Sequence, residues 1–273
     1  MANASVRAAA VAGSFYPADP NTLHMQLVEM LGAALPLETL AIGPKALIVP
    51  HAGYIYSGAV AANAYASLGQ AREQIRRVVL LGPCHRVAVR GMALPASLQF
   101  DTPLGALEVD REHWLALQQR PGVIVSDAAH ALEHSLEVQL PFLQTQLEHF
   151  TLTPVLIGSA DPKAVAALLE AVWGGPETLI VVSSDLSHYH SYREANWCDR
   201  ASVEQILRLD PRLDHDQACG ATPVNGLLLA AERHGLKPHL LDLRNSGDTA
   251  GDRNRVVGYA SIAFCEEPHH ARH

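Results

Sequence analysis

Three histidines of the sequence each follow an apolar run of strand length. The runs cover residues 47–49, 78–81 and 179–182, and proline, glycine or serine separates each run from its histidine. Short runs rich in Leu, Ile and Val are typical of buried strands rather than helices. Proline cannot donate to a sheet ladder, so it ends such a run. We therefore expect His51, His85 and His188 to lie at the ends of three strands.

The expected arrangement is one polar cleft. Ligands of open α/β sheets bind outside the carboxyl ends of the strands, and imidazole serves both as a metal ligand and as a general acid or base. Asp185 adds a carboxylate at the same predicted strand end as His188. One histidine after a strand is more often structural, but three of them favour a binding or catalytic site.

A fourth candidate histidine, His134, lies in the segment 127–143, which has the pattern of one helix. Leucines at positions 132, 136, 140 and 143 share one predicted face, and Glu133, His134 and Glu137 share another. We expect Pro141 to break or kink this helix. The polar face has two open interpretations: a proton-handling or ligand group at the cleft, or an exposed, solvated surface.

Cys219 and Tyr54 each have two open interpretations. Cys219 lies just before a predicted helix, where a helix N-terminus lowers a thiol pKa; the alternative is a structural cysteine. Tyr54 follows His51 closely and forms either a wall of the cleft or part of the core. The aromatic pair Phe15 and Tyr16 either packs an N-terminal arm on the body or forms a loop near the cleft.

The composition describes a globular chain. It has 273 residues, 48% hydrophobic and 18% charged, with a formal net charge of −8. No basic cluster predicts nucleic-acid binding. No apolar run reaches the length of a membrane span or has the form of a secretory signal. The four cysteines form no C-x-x-C pair, which favours a reducing compartment. A cytoplasmic location is the expectation.

Strand and helix patterns alternate along the chain, which predicts a single three-layer αβα domain over residues 1–265. We expect its central sheet to be largely parallel or mixed. Residues 266–273 are predicted to form a flexible tail. Helices are predicted over residues 22–31, 59–66, 162–172 and 192–209, and further strands over 153–159 and 256–264. We expect His113, His149 and His215 on the surface.

Eight short motifs occur in an order that resembles the MEMO family, called AmmeMemoRadiSam system protein B in prokaryotes. They are Phe15-Tyr16-Pro17, His51-Ala52-Gly53-Tyr54, Gly82-Pro83-Cys84-His85, Thr102-Pro103-Leu104-Gly105, Glu133-His134-Ser135 with Glu137, Ser183-Ser184-Asp185 with His188, Cys219-Gly220, and Ser246-Gly247-Asp248 with Gly251-Asp252. The resemblance covers residues 7–265.

The resemblance implies a fold similar to class III extradiol (LigB-type) dioxygenases, which are non-haem iron(II) enzymes. It implies that His51 and His85 are metal ligands and that Cys219 replaces the third, carboxylate ligand. It also implies an acid/base role for His188, with Asp185 close by. Thiolate is softer than carboxylate and shifts metal preference towards copper(I) or zinc. The role of the motif containing His134 and Glu137 is not assigned by the resemblance.

Three functions are open. The first is a metal-dependent redox enzyme that holds iron, or else copper, on His51, His85 and Cys219. The second is a zinc hydrolase with Asp185 or Glu137 as the base. The third is a binding module, metal-free or metal-loaded, for a small molecule or peptide; the resemblance implies radical-SAM and AMMECR1-type proteins as its partners.

Overall fold

The computed structural model describes residues 5–34 and 43–267. The strands are β1 (Val6–Arg7), β2 (Ala46–Val49), β3 (Arg77–Pro83), β4 (Met92–Leu94), β5 (Gln99–Phe100), β6 (Leu107–Glu108), β7 (Val123–Val125), β8 (Thr151–Ile157), β9 (Thr178–Ser183), β10 (His188–His190), β11 (Lys237–Asn245) and β12 (Val256–Cys265). The helices are α1 (Pro20–Gly32), α2 (Tyr54–Ala66), α3 (Arg111–Leu117), α4 (Asp127–Ala131), α5 (Leu140–Gln146), α6 (Pro162–Ala171), α7 (Tyr192–Leu207) and α8 (Ala221–Arg233).

A mixed, nine-stranded sheet runs through the molecule in the order β10-β12-β2-β9-β3-β8-β4-β7, with β11 paired to β12. The four strands β2, β9, β3 and β8 are parallel to one another, whereas β12 and β4 join them antiparallel. The parallel strands are almost wholly apolar because both of their faces are covered. A separate small sheet contains β1, β5 and β6.

Helices cover both faces of the large sheet, so the molecule has the three layers that the sequence predicts. Alternate residues of β2 face opposite cores: Leu47 and Val49 pack on one side, Ala46 and Ile48 on the other. Leucines of α1 belong to the first core, whereas residues of α6, α7 and α8 belong to the second. The prediction of a single α/β domain with a mixed sheet is confirmed.

The prediction of one helix over residues 127–143 is wrong. Helix α4 ends at Ala131, a loop carries Glu133 and His134, and a 3-10 turn precedes α5. Pro141 lies in the first turn of α5, where its missing N–H is not needed, so it neither breaks nor kinks a helix. Leu132, predicted on an apolar face, is 67% exposed.

Other differences are smaller. His113, expected on the surface, is buried, and its Nδ1 lies 2.9 Å from the hydroxyl of Thr153. Helix α7 ends at Leu207, two residues before the predicted end. Strands β7 and β10 were not predicted. Of the predicted tail, residues 268–273 lie outside the described residues. Within 5–34 and 43–267, no helix is both long and apolar enough to cross a bilayer.

Candidate metal centre

The ends of three adjacent parallel strands form one site. His51 follows β2, His85 follows β3, and Asp185 follows β9, which lies between these two strands. Because the strands are parallel, their carboxyl ends meet at one edge of the sheet. A cavity of about 800 Å³ opens there. It is lined by His51, His85, Arg86, His134, Asp185, His188, Tyr189, His190, His215, Asp216 and Cys219.

Three imidazoles converge in this cavity. One ring nitrogen from each of His51, His85 and His134 lies within 4.8 Å of those of the other two. The ring centroids are separated by 5.3 Å for His51 and His85, and by 4.8 Å for His85 and His134. The three residues therefore form a candidate site for a metal ion. The sequence placed His134 at the cleft as one of two alternatives but did not assign it as a ligand.

The tautomer of His51 is fixed by a buried serine. The Ser183 hydroxyl donates its only proton to the Ser135 carbonyl at 2.6 Å and accepts from Gln139 Nε2 at 2.9 Å. The remaining contact of that hydroxyl, 2.8 Å to His51 Nδ1, therefore uses the proton of the imidazole. Burial, together with nearby His85, lowers the pKa of His51 to about 3. His51 is thus neutral, with a lone pair on Nε2.

Glu133 organises the other two imidazoles. Its buried carboxylate accepts from His85 Nδ1 at 2.9 Å and from the backbone amides of His85, His134 and Ser135. Burial alone raises a carboxyl pKa, but the hydrogen bonds from His85 dominate and hold the pKa of Glu133 well below its usual range. An ionised carboxylate only accepts, so His85 Nδ1 donates and Nε2 is left for a ligand. Such carboxylate–histidine pairs orient imidazoles at metal sites.

His134 is the least satisfied member of the cluster. Its Nδ1 is buried and has no hydrogen-bond partner among the described residues, although Glu133 Oε1 lies 3.3 Å away. Burial, followed by the effect of His51, lowers the pKa of His134 to about 4. The ring packs between His85 and Phe15, whose centroid lies 4.9 Å from it. The loop that contains Phe15 therefore lies beside the site.

Glu137 does not line the cavity. It is fully buried and ion-paired with Arg7, and its oxygens accept from the amides of Ala10 and Val11 and from the Tyr16 hydroxyl at 2.6 Å. Every lone pair that Glu137 offers is engaged, so it cannot serve as a base at the cleft. Its role is to fix the N-terminal arm.

The arm in turn shapes the loop that carries His134. Arg7 also donates to the carbonyls of His130 and Glu133, at 3.0 and 2.6 Å, and so holds that loop in place.

Tyr54 was expected either in the wall of the cleft or in the core. It is 4% exposed and donates to the Val138 carbonyl at 2.8 Å. Tyr54 therefore belongs to the core that supports the site and not to the cavity lining.

Cys219 lies beside His51. Its Sγ is 3.4 Å from His51 Nε2, just before α8. Burial, together with the charge of Asp185, raises the pKa of Cys219 to about 12, so the thiol is protonated in the absence of a metal. The position before the helix does not lower the pKa, because the desolvation of a buried thiolate outweighs the helix dipole. Cys219 is a possible fourth donor next to the three imidazoles.

Two further groups lie at the ends of β9 and β10. Asp185 accepts from the His51 amide at 2.7 Å, and burial raises its pKa. His188 Nδ1 lies 2.8 Å from the Leu186 carbonyl. Because a carbonyl only accepts, that nitrogen carries the proton and Nε2 of neutral His188 is a proton acceptor. The structure therefore brings together six of the eight candidate residues: His51, His85, His134, Asp185, His188 and Cys219.

Sequence reasoning missed the outer lining of the cavity. Arg86, Tyr189, His190 and Asp216 lie there, and so does His215, which was expected on the surface without a role. Arg86 follows His85 in the chain, and Tyr189 and His190 follow His188, so adjacency to predicted site residues was the signal for these three residues. Asp216 had no signal in the sequence.

The donor set fits a transition-metal ion. Three imidazoles bring ring nitrogens together, a buried nitrogen of His134 has no hydrogen-bond partner within the described chain, and a thiol lies beside them. Imidazole suits iron, copper and zinc, whereas calcium and magnesium prefer oxygen ligands. The polar groups behind the ring nitrogens are also those that hold metal-bound histidines in place.

Comparisons with known proteins extend over most of the chain. The family model described as Memo-like protein matches residues 7–263. MEMO1 family proteins from Sulfolobus acidocaldarius and Methanosarcina barkeri are 35% and 37% identical, over 95% and 94% of this chain and 99% of each relative. One from Aquifex aeolicus is 36% identical over 95% of this chain and 99% of its own.

A solved structure shares the fold. An uncharacterized protein from Escherichia coli K12 aligns with a TM-score of 0.51 at 15% identity, over 80% of this chain and 98% of its own. At this identity the likeness concerns the fold alone.

Proposed function

We propose that this chain binds a transition-metal ion at the carboxyl ends of β2, β3 and β9 and acts there as a metal-dependent oxidoreductase on a small organic molecule. The chain belongs to the Memo-like protein family. The observation that carries the proposal is the convergence of His51, His85 and His134, with the ring nitrogens of the first two oriented by buried partners.

Iron(II) is the metal we propose first, because three protein donors that leave other positions open are typical of non-haem iron sites. His51 and His85 hold it, with His134 or Cys219 as a further ligand. When bound, iron supplies redox chemistry and places for substrate. Copper also accepts imidazole and thiolate donors.

The other residues of the cavity have roles that do not depend on the metal. His188 accepts or returns a proton at Nε2, since its Nδ1 is held by the Leu186 carbonyl. Asp185 holds the amide of His51 and so fixes the position of that ring. The cavity, about 800 Å³ in volume, has the size of sites that bind small molecules.

The test is metal content, measured by mass spectrometry on protein purified anaerobically without a tag or added metal. The proposal expects near-stoichiometric iron or copper, which is lost in His51→Ala. His134→Ala and Cys219→Ser then identify the further ligand. Cobalt-loaded protein sharpens this step, because only a bound thiolate gives a near-ultraviolet charge-transfer band. Oxygen consumption with candidate reductants follows on the loaded protein. No metal, with none taken up on reconstitution, would overturn the proposal.

A zinc hydrolase is the second candidate. Three imidazole nitrogens with an open position are also the ligand set of a catalytic zinc, which lowers the pKa of bound water. Asp185 would be the base, since Glu137 lies outside the cavity lining. Stoichiometric zinc and a hydrolytic activity that His51→Ala abolishes would favour this candidate over the first. Absence of zinc uptake would exclude it.

The proposed partners need a separate test. Radical-SAM and AMMECR1-type proteins are proposed from the family resemblance, and a pull-down with each is the measurement. Capture of either by His51→Ala as well as by the unaltered chain would indicate a binding surface that does not need the metal. Capture of neither would contradict the proposal of these partners.

A further inference from the structure

We propose that the outer part of the cavity binds a carboxylate of the substrate, and that Arg86 is the residue that recognises it. The inference rests on the proposed function, because it concerns the same cavity. It assigns the substrate class: a small monocarboxylic acid whose other end lies towards His51, His85 and His134.

Arg86 is a cation without an internal partner. It follows His85 directly, is exposed and lines the cavity. Across residues 5–34 and 43–267, the guanidinium of Arg86 makes no hydrogen bond and no ion pair. Arg7, Arg77, Arg212 and Arg244, by contrast, are paired with carboxylates. A guanidinium at the mouth of a cavity is thus available for a ligand.

The charged residues that line the cavity favour a ligand with one negative charge over a ligand with two. Arg86 is the one lysine or arginine among the lining residues, and the carboxylates there are Asp185 and Asp216. The planar fork of a guanidinium matches the two oxygens of a carboxylate. A phosphate dianion would place a second charge near these aspartates. A monocarboxylate is therefore the better complement.

Tyr189 supplies a wall for the rest of the substrate. Tyr189 is 64% exposed and lines the cavity, and its backbone has a φ of 63°. This left-handed conformation is unfavourable for a non-glycine residue. The Arg255 guanidinium covers the ring at 4.9 Å from the centroid. The strained strand β10 thus displays an aromatic surface in the cavity, against which the apolar body of an acid can pack.

The experiment compares two matched probes in fluorine NMR titrations: 4-fluorobenzoate and the neutral 4-fluorobenzamide. The full chain is used after dialysis against a chelator, so that an anion cannot bind to a metal. We expect the benzoate to bind about tenfold more tightly than the amide and to weaken with added salt. Arg86→Gln should remove this preference, and Arg86→Lys should keep part of it.

Arg111→Gln is the control, because it removes one exposed positive charge outside the cavity lining; it should bind both probes as the unaltered chain does. Equal binding of the two probes, or a preference that survives in Arg86→Gln, would overturn the inference. Tighter binding of 4-fluorophenyl phosphate than of the benzoate would overturn the assignment of a monocarboxylate.

Metal content of the same variants separates this inference from the proposed function. Arg86→Gln should keep the metal content of the unaltered chain, because Arg86 is not a ligand. If the metal is held and the benzoate shows no preference, the inference on the substrate fails alone. If the benzoate binds through Arg86 and no metal is taken up, the proposed function fails and an acid-binding cavity is left.

Discussion

Polar side chains are buried at both ends of the parallel strands, but those at the two ends differ in how fully they are hydrogen-bonded. At the amino ends, Lys45 precedes β2, and its ammonium donates to the carbonyls of Trp173, Gly175 and Thr178 at 2.6, 2.8 and 2.7 Å. Burial lowers the pKa of Lys45 to about 8, so at neutral pH most of the ammonium is protonated. At the carboxyl ends, His134 Nδ1 has no hydrogen-bond partner within the described residues, and His51 Nε2 lies 3.4 Å from the thiol of Cys219.

This difference distinguishes a structural group from a ligand. A buried polar group costs free energy unless a hydrogen bond satisfies it. Lys45 donates to backbone carbonyls of the chain itself and needs no ligand, so its contribution is to stability. The imidazoles bring three ring nitrogens close together, an arrangement that a bound cation would satisfy. Removal of a hydrogen-bonded group such as Lys45 should therefore lower stability, whereas removal of a group without a hydrogen-bond partner should weaken metal binding.

Glu137→Ala should have the largest effect on the free energy of unfolding. It leaves the Arg7 cation and the amides of Ala10 and Val11 buried without their acceptor. Breaking a buried ion pair in this way costs about 4 kcal/mol. Urea unfolding measures the loss. Glu204→Ala, at an exposed pair on α7, is the control and should change stability little. An equal loss in both variants would contradict the structural role of Glu137.

Lys45→Met should cost less and leave the metal site intact. The change removes four hydrogen bonds from a charged donor, one of them long, and keeps the apolar stem. The expected loss is about 3 kcal/mol. For a chain of this size, that loss lowers the melting temperature by roughly 10 °C. Metal content should equal that of the unaltered chain. If metal binding falls together with stability, the two strand ends are coupled and the comparison fails.

His130 provides a test by pH. Its ring is satisfied, with Nε2 at 3.0 Å from the Ala93 carbonyl, and burial lowers its pKa to about 4. The unfolded chain has a histidine pKa of about 6.5 and binds a proton that the folded chain excludes. The free energy of unfolding is therefore not reduced by His130 above pH 6.5, and it declines as the pH falls towards 4. Between pH 7 and pH 5 this group alone should remove about 2 kcal/mol.

The comparison uses His130→Gln, which keeps an N–H for the Ala93 carbonyl but does not titrate. Urea unfolding of both metal-free proteins at pH 7 and pH 5 gives the difference. His51 and His134 contribute acid sensitivity to both proteins alike. An unchanged pH dependence in His130→Gln would show that this ring titrates normally in the folded chain.

His134→Ala should have the smallest effect on stability. The ring has a buried nitrogen without a partner, so its loss removes a desolvation cost together with its packing contacts. We expect a change of about 1 kcal/mol or less in the metal-free protein. Metal affinity should nevertheless fall by at least about tenfold if His134 is a ligand. A large loss of stability without loss of metal would show that His134 is structural, as His130 is.

Short-range patterns explain the features that could be predicted. The apolar runs before His51, His85 and Asp185 are local signals of buried strands, and a parallel sheet places their ends at one edge. The prediction of the cleft therefore needed only the strand assignments and the rule for ligand sites in α/β sheets. The family was also identified from motifs in the sequence.

The segment around His134 shows what a local pattern cannot reveal. Its leucines recur at helical spacing, but Arg7 takes the carbonyls of His130 and Glu133, more than 120 residues away in the sequence. The chain turns there, so His134 enters the cavity and Glu137 is directed at Arg7. Sequence spacing placed the two residues on one face, but long-range hydrogen bonds sent them to different environments.

The amino-acid sequence thus determined the three-layer fold, the strand-end histidines and the family, because strand and turn propensities act between near neighbours. Tertiary structure decided which imidazoles meet, which nitrogen of His51 and of His85 is available, and that Cys219 is a buried thiol. These properties depend on Ser183, Glu133 and Asp185, whose partners come from other strands and loops. Burial and hydrogen bonds between distant segments set them, and neither exists before the chain folds.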